Sequence, residues 1–203
     1  MVFVPLYKKM AMDRIHLAAV SGSLRKDSFN TKLLRAAASL LPGDMTMEIV
    51  SWADIPLYNG DLDKPAAENR PGSVNIFRQK LAEADGLLIA SPEYNYSMPG
   101  ALKNALDWAS RGENSPLEGK PVALVGATPG KWGTARMQLD FQAIFLYMNM
   151  KPVYKPEVLV AEAGKKFDRD GRLSDEPTKK FLQQKLEALR ELILQQRTSV
   201  TES

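Results

Sequence analysis

The sequence contains no cysteine and a single histidine, His16. The lack of cysteine excludes disulfide bonds, thiolate nucleophiles, iron–sulfur clusters and cysteine-based zinc sites. One histidine also excludes a metal site built from several histidines of one chain. No apolar run approaches the roughly 20 residues that cross a bilayer, and the early stretch VFVPLY is too short for the core of a secretion signal. These absences favour a cytoplasmic enzyme or binding protein without a metal site, in which His16 has a structural role.

Charge of either sign is also modest. The chain has 27 Lys and Arg residues against 24 Asp and Glu residues, a formal net charge of +3. The positive residues are spread out, so neither nucleic acid nor a membrane surface is expected as a partner. With 203 residues, we expect one domain over 13–197, preceded by a flexible extension over 1–12 and followed by a tail over 198–203.

Short apolar runs alternate with helical patterns along the whole chain. The strands are predicted at 15–20, 45–52, 86–91, 122–128 and 153–160. The helices are predicted at 29–41, 73–84, 99–110, 134–150 and 177–196. Strands that are apolar nearly throughout are typical of a parallel sheet covered on both faces. The sequence therefore predicts an α/β fold, a flavodoxin-like three-layer sandwich with a five-stranded parallel sheet and helices on both faces.

The first candidate site is SGSLRKDSFN (21–30), which follows the first predicted strand and has one glycine and three serines. Ligands of such folds bind beyond the carboxyl ends of the strands. Both glycine-rich nucleotide patterns are absent. Hydroxyl and amide groups can surround one terminal phosphate, with positive charge from Arg25. The alternative is an ordinary turn in which Ser28 or Asn30 caps the next helix.

Two further loops are expected at the same edge of the sheet. The stretch SPEYNYSMPG (91–100) places two tyrosines, a carboxylate and an amide between prolines, which suits a flat, partly apolar ligand. Alternatively the tyrosines only pack on the domain, and Pro99 starts the next helix. The stretch TPGKWG (128–133) has two glycines that leave room for a ligand, or it is an ordinary connection.

Together, the segments GSLRKDSFN, SPEYNYSMPGALKNALDW and GKWGTAR resemble the NADPH-dependent FMN reductase family, and within it the bacterial chromate and quinone reductases. The likeness keeps its order and spacing over about residues 13–160. It implies a flavodoxin-like fold, non-covalently bound FMN, and NADPH or NADH as the co-substrate.

The resemblance also implies which residues hold the cofactor. The FMN phosphate would be held by Ser23, Leu24, Arg25, Ser28, Phe29 and Asn30. The isoalloxazine ring would be lined by Pro92, Glu93, Tyr94 and Asn95, and Thr128 would lie near the ring or the ribityl chain. Asp27 stands where the family often has glycine, and we expect its carboxylate to point to solvent, away from the phosphate.

The implied chemistry belongs to the flavin, which takes a hydride from a nicotinamide and passes electrons to an acceptor, so no catalytic acid or base of the chain is predicted. We predict an FMN-dependent NAD(P)H:acceptor oxidoreductase with a two-electron ping-pong cycle. Quinones are the expected acceptors, with chromate, azo compounds or free flavin as alternatives. Two other functions remain open: a flavodoxin-type electron carrier, although such carriers are generally strongly acidic, and a non-catalytic flavin-binding sensor.

The stretch MQLDFQAIFLYMNM (137–150) has only four polar residues in fourteen. A helix that is apolar on nearly all sides is buried on more than one side. We predict that the helix over 134–150 packs on the sheet and on a second copy of the chain, in a homodimer or homotetramer. The alternative is burial under the C-terminal segment. The acidic stretch 167–176 lacks the spacing of a calcium loop and predicts an Asp-Gly turn.

Overall fold

A computed structural model describes residues 14–63 and 69–201 of the chain. The extension predicted over residues 1–12 lies outside the described residues, and so do the last two residues of the predicted tail. The last helix continues as far as Thr201, so it includes residues 198–201 of the predicted tail.

The elements alternate in the predicted order, with ends shifted by a few residues. The strands are β1 (Ile15–Ser21), β2 (Met45–Ile49), β3 (Gly86–Ala90), β4 (Pro121–Ala127), β5 (Lys151–Val153) and β6 (Leu159–Val160). The helices are α1 (Phe29–Ser39), α2 (Gly72–Glu83), α3 (Gly100–Ala109), α4 (Ala135–Tyr147) and α5 (Glu176–Thr201). Short 3-10 turns cover Gly60–Asp63 and Ala163–Lys165.

The strands form one parallel sheet in the order β2-β1-β3-β4-β5, and β6 also pairs with β4. This confirms the flavodoxin-like fold. The strand predicted over 153–160 is in fact divided into β5 and β6. The interruption contains Pro156, which has no backbone N–H to donate to a neighbouring strand.

Apolar side chains of the sheet alternate between two cores, one on each face. One core joins the sheet to α2, α3 and α4 through residues such as Phe77, Leu106 and Phe141. The other joins it to α1 and α5 through residues such as Leu34 and Leu186. Helices on both faces explain why the central strands β3 and β4 consist entirely of buried apolar residues.

Two minor predictions can also be compared with the structure. His16 is half-buried in β1, with its Nδ1 3.2 Å from the hydroxyl of Thr46 on β2. The Asp-Gly turn is confirmed: Gly171 has φ of 78°, and the Asp168 carboxylate accepts hydrogen bonds from the N–H groups of Asp170 and Arg172.

Within residues 14–63 and 69–201, no helix has the length and apolar character needed to span a bilayer. The same residues contain no cluster of three or more carboxylate or histidine side chains that could hold a metal ion.

Lys185 on α5 is a buried cation, with 1 % of its surface exposed. Its ammonium group donates to the backbone carbonyls of Val153 at 2.5 Å and Tyr154 at 3.4 Å. Burial lowers the pKa of Lys185 from 10.5 to about 8. At neutral pH the charge is present in both the folded and unfolded states, so its burial destabilises the fold.

This burial predicts a pH dependence of stability. Between pH 8 and 10.5 the folded protein loses a proton that the unfolded chain retains, so the free energy of unfolding rises with pH. Relative to Lys185→Met, the wild type should gain about 3 kcal/mol across that window. Urea unfolding at several pH values measures the difference, with Lys103→Met on α3 as the control, because the Lys103 side chain is 41% exposed. A difference that stays constant with pH would contradict the prediction.

Candidate functional site

The carboxyl ends of β1, β3 and β4 lie side by side, and the strand order reverses between β1 and β3. The loops that follow these strands cover 22–28, 91–99 and 128–134. A reversal of this kind is where doubly wound sheets bind their ligands. The structure therefore brings every predicted site residue to one edge of the sheet, in these loops or in the first turn of α1.

The loop after β1 (22–28, the first loop) and the loop after β3 (91–99) pack backbone against backbone. The N–H of Gly22 donates to the carbonyl of Ala90 at 2.7 Å. A Cβ on Gly22 would lie 2.7 Å from the Oγ and 2.9 Å from the Cα of Ser91. The only glycine of the first loop is therefore explained by this close approach.

Ser28 and Asn30 have their polar side chains bound to the protein itself. Ser28 is the N-cap of α1, and its hydroxyl accepts from the N–H groups of Asn30 and Thr31. The Asn30 amide donates to the carbonyl of Ala127 and accepts from its N–H, both at 2.9 Å. The helix-cap alternative is thus correct for Ser28, while Asn30 ties α1 to the end of β4.

Residues 23–27 supply hydrogen-bond donors that have no acceptor among the described residues. The Arg25 guanidinium is exposed and forms no ion pair or hydrogen bond with the described residues. Within the same part of the chain, the N–H groups of Leu24, Lys26 and Asp27 donate to no acceptor. Asp27 is exposed, as expected. A cation beside free N–H groups at a helix N-terminus is a donor set that fits a phosphate.

Two other predicted contacts face the protein interior. The ring of Phe29 packs against Phe167, with 5.6 Å between ring centroids. Thr128 is half-buried, and its N–H donates to the carbonyl of Val160 at 3.0 Å. The Thr128 hydroxyl accepts from the N–H of Gly130 at 3.4 Å. Phe29 therefore anchors the start of α1, and Thr128 stabilises the loop after β4.

The loop after β3 forms a tight hairpin. Tyr94 and Ser97 exchange two backbone hydrogen bonds, of 2.9 and 3.0 Å. The two residues between them, Asn95 and Tyr96, have φ of 51° and 69°. Two-residue turns of this hand favour glycine, so a tyrosine here is strained. The turn leaves both tyrosines exposed at the edge.

Glu93, which is predicted to contact the ring, also binds the start of α4. Its carboxylate accepts from the N–H groups of Arg136 and Met137 at 3.0 and 3.1 Å, and from the Arg136 guanidinium at 3.3 Å. The residue before α4, Thr134, gives no side-chain cap. Glu93, in the loop after β3, therefore caps the N-terminus of α4, where a negative charge is favourable. Its neighbour Pro92 is buried.

Arg136 was not among the predicted site residues, and Tyr96 and Trp132 were recognised only as members of their loops. The guanidinium carbon of Arg136 lies 4.0 Å from the ring centroid of Tyr96 and 5.4 Å from that of Trp132. Both aromatic side chains are largely exposed. A tryptophan flanked by lysine and glycine in a ligand-side loop was the available signal. The arrangement gives the edge a cationic and aromatic wall.

Comparison with known proteins agrees with this geometry. The model of the family described as NADPH-dependent FMN reductase matches residues 15–165. An NAD(P)H-dependent FMN reductase of Pseudomonas aeruginosa is 44% identical over 177 residues, which cover 87% of this chain and 94% of that protein. A 2-hydroxy-1,4-benzoquinone reductase of a Burkholderia species is 42% identical over 170 residues, covering 83% of this chain and 91% of the relative.

A solved structure is similar over nearly the same extent. It is FerB, a flavoenzyme NAD(P)H:(acceptor) oxidoreductase of Paracoccus denitrificans. The TM-score is 0.80 at 35% sequence identity, and the match covers 89% of this chain and 98% of that one.

Proposed function

This chain belongs to the NADPH-dependent FMN reductase family, and we propose that it reduces quinones with electrons taken from NADPH or NADH. It is an NAD(P)H-dependent oxidoreductase that uses FMN. When bound, FMN supplies the redox chemistry, accepting a hydride from the nicotinamide and returning electrons to the acceptor. The chain itself has to bind and orient the ligands, and it needs no acid or base for this reaction.

The observation that carries the proposal is the unpaired Arg25 beside free N–H groups, at the point where the strand order reverses. In the proposal, Arg25, Ser23 and the free N–H groups of Leu24, Lys26 and Asp27 hold the FMN phosphate. Pro92, Tyr94 and Asn95 line the ring, with Thr128 nearby. The side chains of Ser28, Asn30 and Glu93 contribute by holding the loops in place.

Planar acceptors suit this edge. Tyr94, Tyr96 and Trp132 are exposed aromatic side chains that can stack on a flat ring. The Burkholderia relative named for a benzoquinone supports the same substrate class. Chromate offers no face for stacking, so we expect quinones to be reduced faster than chromate. The proposed location is the cytoplasm, where NADPH and NADH are supplied.

Anaerobic reduction of the FMN-loaded protein tests the proposal. Addition of NADPH or NADH should bleach the yellow colour, and a later addition of benzoquinone should restore it. The two half-reactions should also give parallel lines in steady-state double-reciprocal plots, as a ping-pong cycle requires. A protein that stays yellow with both nicotinamides would instead be an electron carrier or a sensor.

The outer face of α4 supports an oligomer. Leu139, Leu146 and Tyr147 are 72%, 83% and 85% exposed, while Phe141 and Phe145 face the core. Exposed apolar patches of this kind mark interfaces. We therefore include in the proposal a homodimer in which two α4 helices meet, or a homotetramer that contains this contact.

A charge on this face should break the contact. We expect Leu146→Glu to lower the molar mass in solution to that of the monomer, because a buried unpaired carboxylate is costly. Light scattering after gel filtration measures the mass. Ile76→Glu, at an apolar residue of α2 that is also exposed, is the matched control. An unchanged mass for Leu146→Glu would place the interface elsewhere.

A further inference from the structure

A groove of about 520 Å³ lies outside the proposed FMN site, between α1, the turn at 168–173 and the start of α5. It is lined by Lys32, Arg35, Ala36, Ser39, Leu40, Asp170, Gly171, Arg172, Leu173 and Lys179. None of these residues belongs to the predicted FMN contacts. Its volume falls in the range of small-molecule sites, about 300–1,000 Å³.

The groove carries an excess of positive charge. Lys32 and Arg35 on α1 make no ion pair with any residue in the described ranges 14–63 and 69–201. Arg172 pairs with Asp170 at 3.3 Å, and Lys179 pairs with a neighbouring residue of its own helix at 2.6 Å. Two cations of α1 therefore face the groove without a carboxylate partner.

Contacts within the protein fix the position of the 168–173 turn, one wall of the groove, against α1, the other wall. Gly171 is in the left-handed region, and a Cβ there would come within 3.0 Å of the Lys32 side chain. The Asp168 carboxylate fixes the turn by accepting from the N–H groups of Asp170 and Arg172 at 2.9 and 2.8 Å. The turn thus brings Arg172 towards the α1 cations.

Apart from Ser39, the remaining lining is apolar and comes from Ala36, Leu40 and Leu173. Such a lining favours a ligand that joins an anionic group to a flat or apolar body. Arginine is suited to both parts, because its guanidinium binds phosphate oxygens in pairs and stacks on aromatic rings. A phosphorylated nucleoside has this chemistry.

We propose that the groove between α1 and the 168–173 turn is a second anion site, which binds the phosphate of a phosphorylated nucleoside through Lys32 and Arg35. The ligand has two sources: the adenosine 2′-phosphate of NADPH, which rests on the proposed function, or a separate nucleotide. Lys32 also lies near the start of its own helix, with its ammonium 5.4 Å from the ring centroid of Phe29.

Titration calorimetry with adenosine 2′,5′-bisphosphate tests the site, using FMN-loaded protein so that the flavin site is filled. Lys32→Met and Arg35→Met should each weaken binding about tenfold, the size of one charge-assisted contact. The double variant should abolish measurable binding. A Lys80→Met/Lys103→Met double variant removes the same charge from the other face of the sheet and should bind normally.

Steady-state assays distinguish the two sources. If the groove holds the co-substrate, the double variant at Lys32 and Arg35 should raise the KM for NADPH by about a hundredfold and leave the KM for NADH unchanged. If both KM values stay unchanged while bisphosphate binding is lost, the ligand is a separate nucleotide. Bisphosphate binding that is absent in the wild type, or equal in the α1 variants, overturns the proposal. These binding outcomes do not depend on turnover, so they are separable from failure of the proposed reductase activity.

Discussion

Replacing Asn30 with alanine is expected to lower the free energy of unfolding by about 3 kcal/mol and to weaken FMN binding at least tenfold. Asn30 is 2 % exposed, and its amide satisfies both the N–H and the carbonyl of Ala127. Without it, two backbone groups stay buried and unpaired, and α1 separates from the end of β4. Urea unfolding and fluorescence titration with FMN measure the two effects.

Asn104→Ala is the matched control. The Asn104 amide makes the same kind of double tie, donating to the carbonyl of Pro56 at 2.9 Å and accepting from the N–H of Tyr58 at 2.7 Å. That tie joins α3 to a loop that contributes no proposed FMN contact. Its loss should destabilise the protein but leave FMN affinity close to the wild-type value. Equal FMN affinities for wild type and Asn30→Ala would show that this tie is unrelated to the cofactor site.

Arg25→Ala should weaken FMN binding by about tenfold to a hundredfold while riboflavin binding stays unchanged. The two ligands differ only in the phosphate, and Arg25 is an exposed cation with no ion pair among the described residues. A charge-assisted hydrogen bond to the phosphate accounts for the expected size. Fluorescence quenching of each flavin on titration with apoprotein gives both dissociation constants.

Lys26→Ala removes the adjacent charge and should have a much smaller effect on FMN. An equal loss of FMN and riboflavin affinity in Arg25→Ala would mean that the loop has collapsed. An unchanged FMN affinity would mean that the phosphate lies elsewhere. Either result contradicts the assigned role of Arg25.

The fold could be predicted because its signals are local. An apolar run such as VALVGA, which ends at Ala127, predicts a strand buried on both faces from its own residues alone. The amphipathic pattern of α5 likewise predicts a helix without information from distant segments. The loop after β1 was recognisable for the same reason. Its hydroxyls, its single glycine and Arg25 are consecutive in the chain, so their role depends little on other segments.

The side-chain roles at the site depend on residues far away in the chain. Nothing near Glu93 indicates that its carboxylate caps α4, because the partners lie 43 and 44 positions later. The turn at Asn95 and Tyr96 lacks the glycine that such turns favour, so the sequence did not indicate its left-handed backbone. The strand predicted over 153–160 includes Lys155, Pro156 and Glu157, and the pairing with β4 shows that the chain divides there into β5 and β6.

The cap that Glu93 places on α4 has a consequence for assembly. One carboxylate joins the loop after β3, at the proposed flavin site, to the helix whose outer face is apolar. A displacement of the helix end moves the loop, and a displacement of the loop moves the helix. Coupling free energy is reciprocal: if joining of two chains favours one position of α4, a ligand that favours the same position must strengthen the joining by an equal factor. Cofactor occupancy and subunit concentration would then be interchangeable ways of driving one equilibrium.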